Sequence, residues 1–184
     1  GKLIAPVADW QTKRRWVKEA FAALESVGYT VGSGYTAVKD PSKSKFIYRD
    51  ALWGGADLLG LGVASFSHAA GVHYQNLTEI DDYTAAIKAG EMPTKRSFRT
   101  TEEQRMIREF ILRMKLGRVD AGHFGSKYGV DVLARWEDEL NELTEEGLLT
   151  VVGKDIVLER DGLLCVDNIL HDFFLPEHRT NKLV

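Results

Sequence analysis

The residues best suited to chemistry lie in one stretch, DLLGLGVASFSHAAGVHYQN, which runs from residue 57 to residue 76. It combines hydroxyl, imidazole and amide side chains with an aromatic ring, at Ser65, Phe66, His68, Gln75 and Asn76. Such side chains donate and accept hydrogen bonds and offer a flat face for stacking. The glycines before them leave the backbone bare, so that a ligand can approach it closely. The stretch therefore favours a small-molecule site in which His68, Gln75 and Asn76 contact a substrate.

A purely structural interpretation of the same stretch remains open. Gly60 and Gly62 weaken a strand, and a weakened strand that leads into a turn requires no ligand. His68 also suits a protein interior when its ring is hydrogen-bonded. GLGVAS is not a dinucleotide-binding fingerprint, because it lacks the third glycine and the helix that should begin within it.

The other histidines and the single cysteine indicate no further chemistry. No three or four of them have the spacing of metal ligands, so we predict no metal site built from this chain alone. Cys165 sits among aliphatic residues, which is typical of a buried thiol rather than a nucleophile. His123 is predicted to pack or to cap a helix in the second half of the chain.

The first half of the chain contains the elements that must position this stretch. Apolar residues recur at helical spacing between Asp9 and Gly28, which predicts an amphipathic helix. YTVGSGYTAV predicts a short strand, and the continuous apolar run ADLLGLGVAS is typical of a strand buried on both faces of a parallel sheet. Together they predict the end of an α/β unit with parallel strands. Two such strands cannot complete a sheet, so we expect the chain to be the C-terminal part of a longer protein.

A second unit is predicted to begin near Phe98. A short helix in EIDDYTAAIKAGEMP precedes it, and a longer one follows with Thr100 and Glu103 as a capping box. DAGHFGSKYG predicts a third helix, VDVLARWEDELNELTEEG a fourth, and LLTVVGKDIVLE a hairpin that turns at Gly153 and Lys154. Three helices followed by a two-stranded wing predict a winged-helix arrangement for this unit.

Composition limits the partners of the chain. Its 184 residues are 44% hydrophobic and carry a net charge of −3, which is typical of a globular domain and gives no electrostatic case for nucleic acid or membrane. Residues 131–146, the segment that a winged helix would place in the major groove, hold seven acids and one base. We predict no nucleic-acid partner, no membrane partner and a cytoplasmic location.

Several motifs, in order, resemble those of a known family. They are DLLGLGVASFSHAAGVHYQN, EIDDYTAAIKAGEMP, EEQRMIREFILRMKLGRVD, FGSKYGVDV, GLLTV and ERDGLLCVDNIL. Their order and spacing resemble the C-terminal part of the oxygen-independent coproporphyrinogen III oxidases and their radical S-adenosylmethionine relatives. The resemblance implies an α/β fold in which residues 1–97 are the C-terminal portion of a βα barrel and residues 98–184 form a small helical, winged-helix-like domain.

The resemblance also implies an activity and its cofactors. Enzymes of this family cleave S-adenosylmethionine at a [4Fe–4S] cluster held by a CxxxCxxC motif, and the resulting radical starts the oxidative decarboxylation of a porphyrinogen propionate in haem biosynthesis. This chain has no such motif, so the cluster ligands are expected upstream and the chain alone is expected to be inactive. The implied partners are a tetrapyrrole substrate and an electron donor such as a flavodoxin-type protein.

By the same resemblance, a second S-adenosylmethionine would contact Phe66 and the pair Ile47 and Tyr48, and Ser65 is predicted as a further cofactor contact. Phe66 stands where the family pattern has a smaller aliphatic residue. Radical enzymes that degrade haem or transfer methyl groups share the scaffold and remain alternatives. A non-catalytic winged-helix interaction module is the alternative from another class of protein.

Overall fold

The computed structural model describes residues 7–179, in which short strands alternate with helices. The helices are α1 (Trp10–Ser26), α2 (Ile47–Trp53), α3 (Ile80–Lys88), α4 (Glu102–Met114), α5 (Ala121–Tyr128), α6 (Val132–Arg135), α7 (Glu137–Glu145), α8 (Arg160–Leu164) and α9 (Val166–Ile169). The strands are β1 (Thr30–Ser33), β2 (Thr36–Val38), β3 (Phe66–Ala69), β4 (Val72–Asn76), β5 (Thr94–Arg99), β6 (Arg118–Asp120), β7 (Leu149–Val152) and β8 (Asp155–Leu158).

The strands form three small antiparallel sheets. β1 pairs with β2, the second sheet has the order β3-β4-β5, and the third has the order β6-β8-β7. The prediction of parallel strands is therefore wrong for the part of the chain that the structure describes. Short turns connect β1 to β2, β3 to β4 and β7 to β8, and a tight turn can join only antiparallel neighbours.

The predicted buried strand at ADLLGLGVAS is also wrong. Residues 57–65 form a loop, hereafter the glycine loop, with one isolated bridge between Leu58 and His68. Leu59 is 67% exposed and Leu61 is 88% exposed, so the apolar run lies on the surface. The backbone leaves extended geometry at Gly62, with φ of +93°, and at Ala64, with φ of +57°.

The predicted amphipathic helix is confirmed as α1. The carboxylate of Asp9 caps it by accepting a hydrogen bond from the Thr12 amide at 2.7 Å. Its apolar face is less buried than the spacing indicates, because only Phe21 is buried while Trp16 and Val27 are more than half exposed. Ion pairs with residues near the C-terminal end of the described chain, such as Lys18 with Asp161, hold α1 in place.

The winged-helix prediction is confirmed. Helix α4, strand β6, helices α5 to α7 and the hairpin of β7 and β8 follow one another in winged-helix order. They enclose the main hydrophobic core, which is built around Phe110, Phe124, Trp136 and Phe173. The hairpin turns at Gly153 and Lys154 as predicted.

Local details of this unit differ from the sequence predictions. The capping box is Thr101 with Gln104, one residue later than predicted, because the hydroxyl of Thr100 donates instead to the Gly71 carbonyl at 2.8 Å. The predicted fourth helix is broken at Trp136, whose φ of −120° ends α6 before α7 begins. Strand β6 was not predicted. The division of the chain into two domains near Phe98 stays a prediction. Phe98 itself lies within β5.

Candidate functional site

The glycine loop is bound closely to strands β3 and β4. Leu58 and His68 exchange two backbone hydrogen bonds of 2.8 Å, and the Ala64 amide donates to the Leu77 carbonyl at 2.8 Å. The Asn76 amide donates to the Ser65 carbonyl at 2.9 Å. These bonds satisfy the backbone of a segment that has almost no regular structure of its own.

Side chains beneath the loop fix its shape. The side-chain amide of Asn76, which is 4% exposed, donates to the carbonyls of Gly60 at 3.0 Å and Gly62 at 2.9 Å. The hydroxyl of Ser67 accepts from the Gly60 amide, and the hydroxyl of Tyr83 accepts from the Gly62 amide, each at 3.0 Å. Both amide protons of Asn76 are thus used within the protein, and its contact with a substrate stays a prediction.

Gly60 explains why the apolar stretch breaks into small residues. A Cβ atom at this position would lie 2.3 Å from the carbonyl oxygen of Phe66 and 2.9 Å from the Cβ of Ser65. The close approach that the glycine permits is therefore to the chain's own strand. Ser65 closes the same loop, because its hydroxyl donates to the Leu61 carbonyl at 2.7 Å.

Strand alternation separates the predicted residues onto two faces of the β3-β4-β5 sheet. Because neighbouring side chains in a strand point to opposite sides, Ser67 and Asn76 lie under the glycine loop on one face. The other face carries Phe66, His68 and Gln75. The structure thus brings together three of the seven residues predicted from the sequence as cofactor or substrate contacts.

The face that carries Phe66 is a surface of rings and polar groups. Phe66 is 46% exposed and stacks on His73, with ring centroids 5.6 Å apart and planes 10° from parallel. The guanidinium of Arg96 lies 5.9 Å from the Phe66 ring and donates to the Gln75 amide oxygen at 2.9 Å. Gln75 in turn donates to the Ala64 carbonyl at 3.2 Å. These residues line a shallow cavity of about 250 Å³.

The predicted cofactor contacts are not all brought to this face. Ile47 and Tyr48 lie at the start of α2, where they are 75% and 70% exposed. Neither of them lines the cavity beside Phe66. The contacts of Ile47, Tyr48, Ser65 and Phe66 with a cofactor all stay predictions.

His68 opens onto a second cavity. It is buried, and it lines a space of about 350 Å³ between the β3-β4 turn and helices α4 and α5. Burial lowers the pKa of His68, and the nearby positive charge of Arg108 lowers it further. The ring is therefore neutral at pH 7, where one nitrogen donates a hydrogen bond and the other accepts.

The floor of that cavity is the carboxylate of Glu109, which sequence reasoning missed. It is 3% exposed and accepts hydrogen bonds from Arg113, Lys127 and Tyr128 at 2.6–3.0 Å. His123 was predicted to pack or to cap a helix. Its Nε2 atom lies 2.7 Å from Oε1 of the same carboxylate. Only the spacing of Glu109 and Arg113, four residues apart on a helix, signalled this cluster in the sequence.

The Glu109 cluster joins the two halves of the chain. Arg113 also donates to the Gly54 carbonyl at 2.9 Å. A Cβ atom at Gly55 would lie 2.7 Å from the Glu109 side chain, so a glycine is needed there. Helix α4 is thereby held against the segment that leads into the glycine loop.

We expect the Glu109 cluster to make stability depend on acid pH. Burial alone would raise the pKa of Glu109, but the hydrogen bonds from Lys127, Tyr128, His123 and Arg113 outweigh it and lower the pKa to about 2. The stabilisation is complete above the ordinary pKa of a glutamate, near 4.3, and is lost as the pH falls toward 2. Glu109→Gln should lower the free energy of unfolding at pH 7 by about 1–3 kcal/mol.

Urea unfolding at pH 7 and at pH 3 measures this effect. The difference between wild type and Glu109→Gln should shrink at pH 3, because the glutamate of the unfolded chain is then protonated while the native carboxylate still holds its charge. Glu103→Gln serves as the control, because its half-exposed carboxylate pairs only with Arg135. An unchanged difference between pH 7 and pH 3 would show that the carboxylate charge does not stabilise the fold.

The residues that the structure describes do not fit an iron–sulfur cluster. Such a cluster needs several cysteine thiolates, and this chain has one cysteine. Cys165 is partly buried, its thiol donates to the Asp161 carbonyl, and burial raises its pKa. Within residues 7–179, no three His, Cys, Asp or Glu side chains are grouped to hold a metal ion. No helix in that range is long and apolar enough to cross a membrane.

The fold of the described region is that of the C-terminal region of a radical S-adenosylmethionine enzyme, an α/β architecture that ends in a winged-helix unit. The solved structure it resembles is that of coproporphyrinogen III oxidase (HemN) from Escherichia coli, a radical SAM enzyme. The two structures share a TM-score of 0.70 at 20% sequence identity, over 93% of this chain and 43% of that one. The fold-class prediction is therefore confirmed.

The sequence comparisons agree with the fold. No family model matches the chain. It is 26% identical over 132 residues to the oxygen-independent coproporphyrinogen III oxidase of Pseudomonas aeruginosa, an alignment that covers 67% of this chain and 28% of that protein. The predicted resemblance to these oxidases is confirmed. The chain spans less than half the length of either relative.

Proposed function

We propose that this chain is the C-terminal region of a radical S-adenosylmethionine enzyme that decarboxylates porphyrinogen propionates in haem biosynthesis. The observation that carries the proposal is the likeness in both sequence and fold to coproporphyrinogen III oxidases, which in fold extends over 93% of the chain. The ordered motifs between Asp57 and Leu170 belong to the same likeness in sequence.

The proposed cofactors are S-adenosylmethionine and a [4Fe–4S] cluster whose ligands lie upstream of this chain. When bound, they supply the radical that begins the reaction. The chain's own contribution is to position the substrate and to exclude water. Phe66 offers a stacking face, while Gln75 and Arg96 supply polar groups beside it. The exposed side chains of Leu59, Leu61 and Val63 provide an apolar wall.

The test uses the protein that contains this chain together with its cluster-binding region. That protein should carry a CxxxCxxC motif upstream of Gly1. After anaerobic reconstitution, and with a reduced flavodoxin-type donor, it should cleave S-adenosylmethionine and release carbon dioxide from coproporphyrinogen III. Cofactor cleavage without decarboxylation would contradict the proposed substrate and favour the haem-degrading or methyl-transferring relatives. Absence of the motif would contradict the radical enzyme and favour the interaction module.

Ser65→Leu in that protein tests whether a ligand approaches the glycine loop. We expect turnover of S-adenosylmethionine to fall by at least tenfold, because a leucine at this position adds bulk to the glycine loop and removes the hydroxyl that donates to the Leu61 carbonyl. The melting temperature should fall much less, because Ser65 is only partly buried. Overpacking a closed core would instead cost about 1–3 kcal/mol.

Ser126→Leu is the matched control for Ser65→Leu. The hydroxyls of both serines donate to the carbonyl four residues earlier, but Ser126 lies on α5, away from the glycine loop. Its replacement should leave turnover unchanged. Equal losses of activity and stability in Ser65→Leu would show that the loop is only a packing device.

A further inference from the structure

The cavity beside His68 contains two arginines whose guanidiniums form no hydrogen bond or ion pair within the described chain. Arg105 and Arg108 lie on α4 and line this space of about 350 Å³. The other arginines near the cavity are paired, as Arg113 is with Glu109. Within residues 7–179, neither Arg105 nor Arg108 has a carboxylate within ion-pair distance or an acceptor for its guanidinium. Ten donor N–H groups are therefore available, five on each guanidinium.

Arg108 is held in this position at an electrostatic cost. Its side chain is half-buried, and burial lowers the pKa of its guanidinium, which the charges of Asp57 and Glu109 only partly offset. None of its guanidinium nitrogens is buried without a hydrogen-bond partner, so its N–H groups reach the open cavity, where a ligand or water can accept from them. The guanidinium fork matches the two oxygens of a carboxylate or the oxygens of a phosphate.

Three carboxylates, those of Asp57, Glu102 and Glu109, line the cavity together with the cations Arg105, Arg108 and Lys127. Asp57 accepts a hydrogen bond from the Ala70 amide at 3.1 Å. Glu109 is neutralised by Arg113 and Lys127. Glu102 is exposed in the first turn of α4. The charges of the lining are therefore balanced, and the two arginines stand out because their donor N–H groups have no acceptor within residues 7–179.

The turn above the arginines is shaped to leave room. Ala70 and Gly71 both have left-handed backbone conformations, with φ of +49° and +73°. A Cβ atom at Gly71 would lie 2.9 Å from the Arg105 guanidinium, so any other residue would displace it. A left-handed alanine is strained by about 1 kcal/mol or more. Ala70 and Gly71 are the two central residues of the β3–β4 hairpin turn, and a two-residue turn of this kind requires left-handed conformations at both positions.

We propose that this cavity binds the oxyanion group of a small molecule, a carboxylate or a phosphate, between Arg105 and Arg108. The neutral ring of His68 supplies a hydrogen bond at the inner wall. The site is separate from the cavity beside Phe66, because the two cavities share no lining residue. Simple anions probe it directly, so the result does not depend on the proposed radical chemistry.

Isothermal titration of the 184-residue chain with succinate and with inorganic phosphate tests this site. We expect saturable binding of at least one of them, and the tighter ligand identifies the carboxylate or the phosphate as the preferred group. Arg105→Gln and Arg108→Gln should each weaken binding by about tenfold to a hundredfold, as expected for the loss of a charged hydrogen bond. Arg105 is exposed, so its replacement should leave the fold intact.

Arg15→Gln is the control for general charge effects, because Arg15 is exposed on α1 and lies outside the cavity. It should bind the anion as the wild type does. Equal weakening in Arg15→Gln, or the absence of saturable binding by both anions, would overturn the proposal. If Arg108→Gln unfolds, Arg105→Gln alone decides the outcome.

Discussion

Replacing Phe110 with alanine is expected to lower the free energy of unfolding by about 3–5 kcal/mol, the range for large core aromatics. Phe110 is 0% exposed at the centre of the winged-helix core. Its ring lies 4.3 Å from the ring of Trp136, 5.1 Å from that of Phe173 and 5.5 Å from that of Phe124, measured between centroids. Removing it leaves a cavity that three other large rings cannot fill without leaving their own contacts.

Urea unfolding followed by tryptophan fluorescence measures this loss, since Trp136 touches the mutated site. Phe98→Ala is the matched control, because Phe98 is 55% exposed on β5. Its replacement should cost about 1 kcal/mol or less. Similar losses for the two variants would show that the winged-helix core does not dominate the stability of the chain.

Gly60→Ala is expected to destabilise the chain by roughly 3 kcal/mol, the upper end of the range for overpacking. The new methyl group would meet the Phe66 carbonyl at 2.3 Å, and a backbone oxygen cannot move without breaking the hydrogen bonds around it. The loop must therefore leave β3. The bonds from Asn76 to Gly60 and Gly62 would then be lost.

Thermal unfolding and amide hydrogen exchange measure the Gly60→Ala effect. Exchange at Leu58 and His68 should accelerate, because their paired amides hold the loop on the sheet. Gly125→Ala is the control, because Gly125 lies within α5 with no atom within 4 Å of its added Cβ. Gly125→Ala should leave the free energy of unfolding unchanged or raise it by up to about 1 kcal/mol, because alanine favours a helix more than glycine does. Unchanged exchange in Gly60→Ala would show that the loop tolerates a side chain there.

The sequence predicted those elements whose signals are local. Helix α1 has its cap at Asp9, and the β7-β8 hairpin has its turn at Gly153 and Lys154. Each signal lies within a few residues of the structure that it specifies. The order of these elements was then enough to predict the winged-helix unit, whereas the resemblance to a family rests on the order and spacing of sequence motifs.

The glycine loop shows where local pattern fails. A continuous apolar run is typical of a strand buried on both faces, yet Leu59 and Leu61 are largely exposed. Neither hydrophobicity nor spacing reveals that Gly60 must pass against the Phe66 carbonyl, because that contact forms only when the loop folds back on β3. The role of Asn76 beneath the loop was hidden for the same reason.

The amino-acid sequence by itself determined the α/β class, the winged-helix unit and the stretch in which Phe66, His68 and Gln75 meet. The tertiary structure decided the antiparallel pairing of the sheets, the Glu109 cluster and the cavity of Arg105 and Arg108. The physical reason is distance along the chain. Helix periodicity and turn chemistry act between near neighbours, whereas Glu109 gains its hydrogen bonds from residues up to 19 positions away, and Arg113 from α4 reaches Gly54 across 59. Such contacts exist only after the elements have packed together.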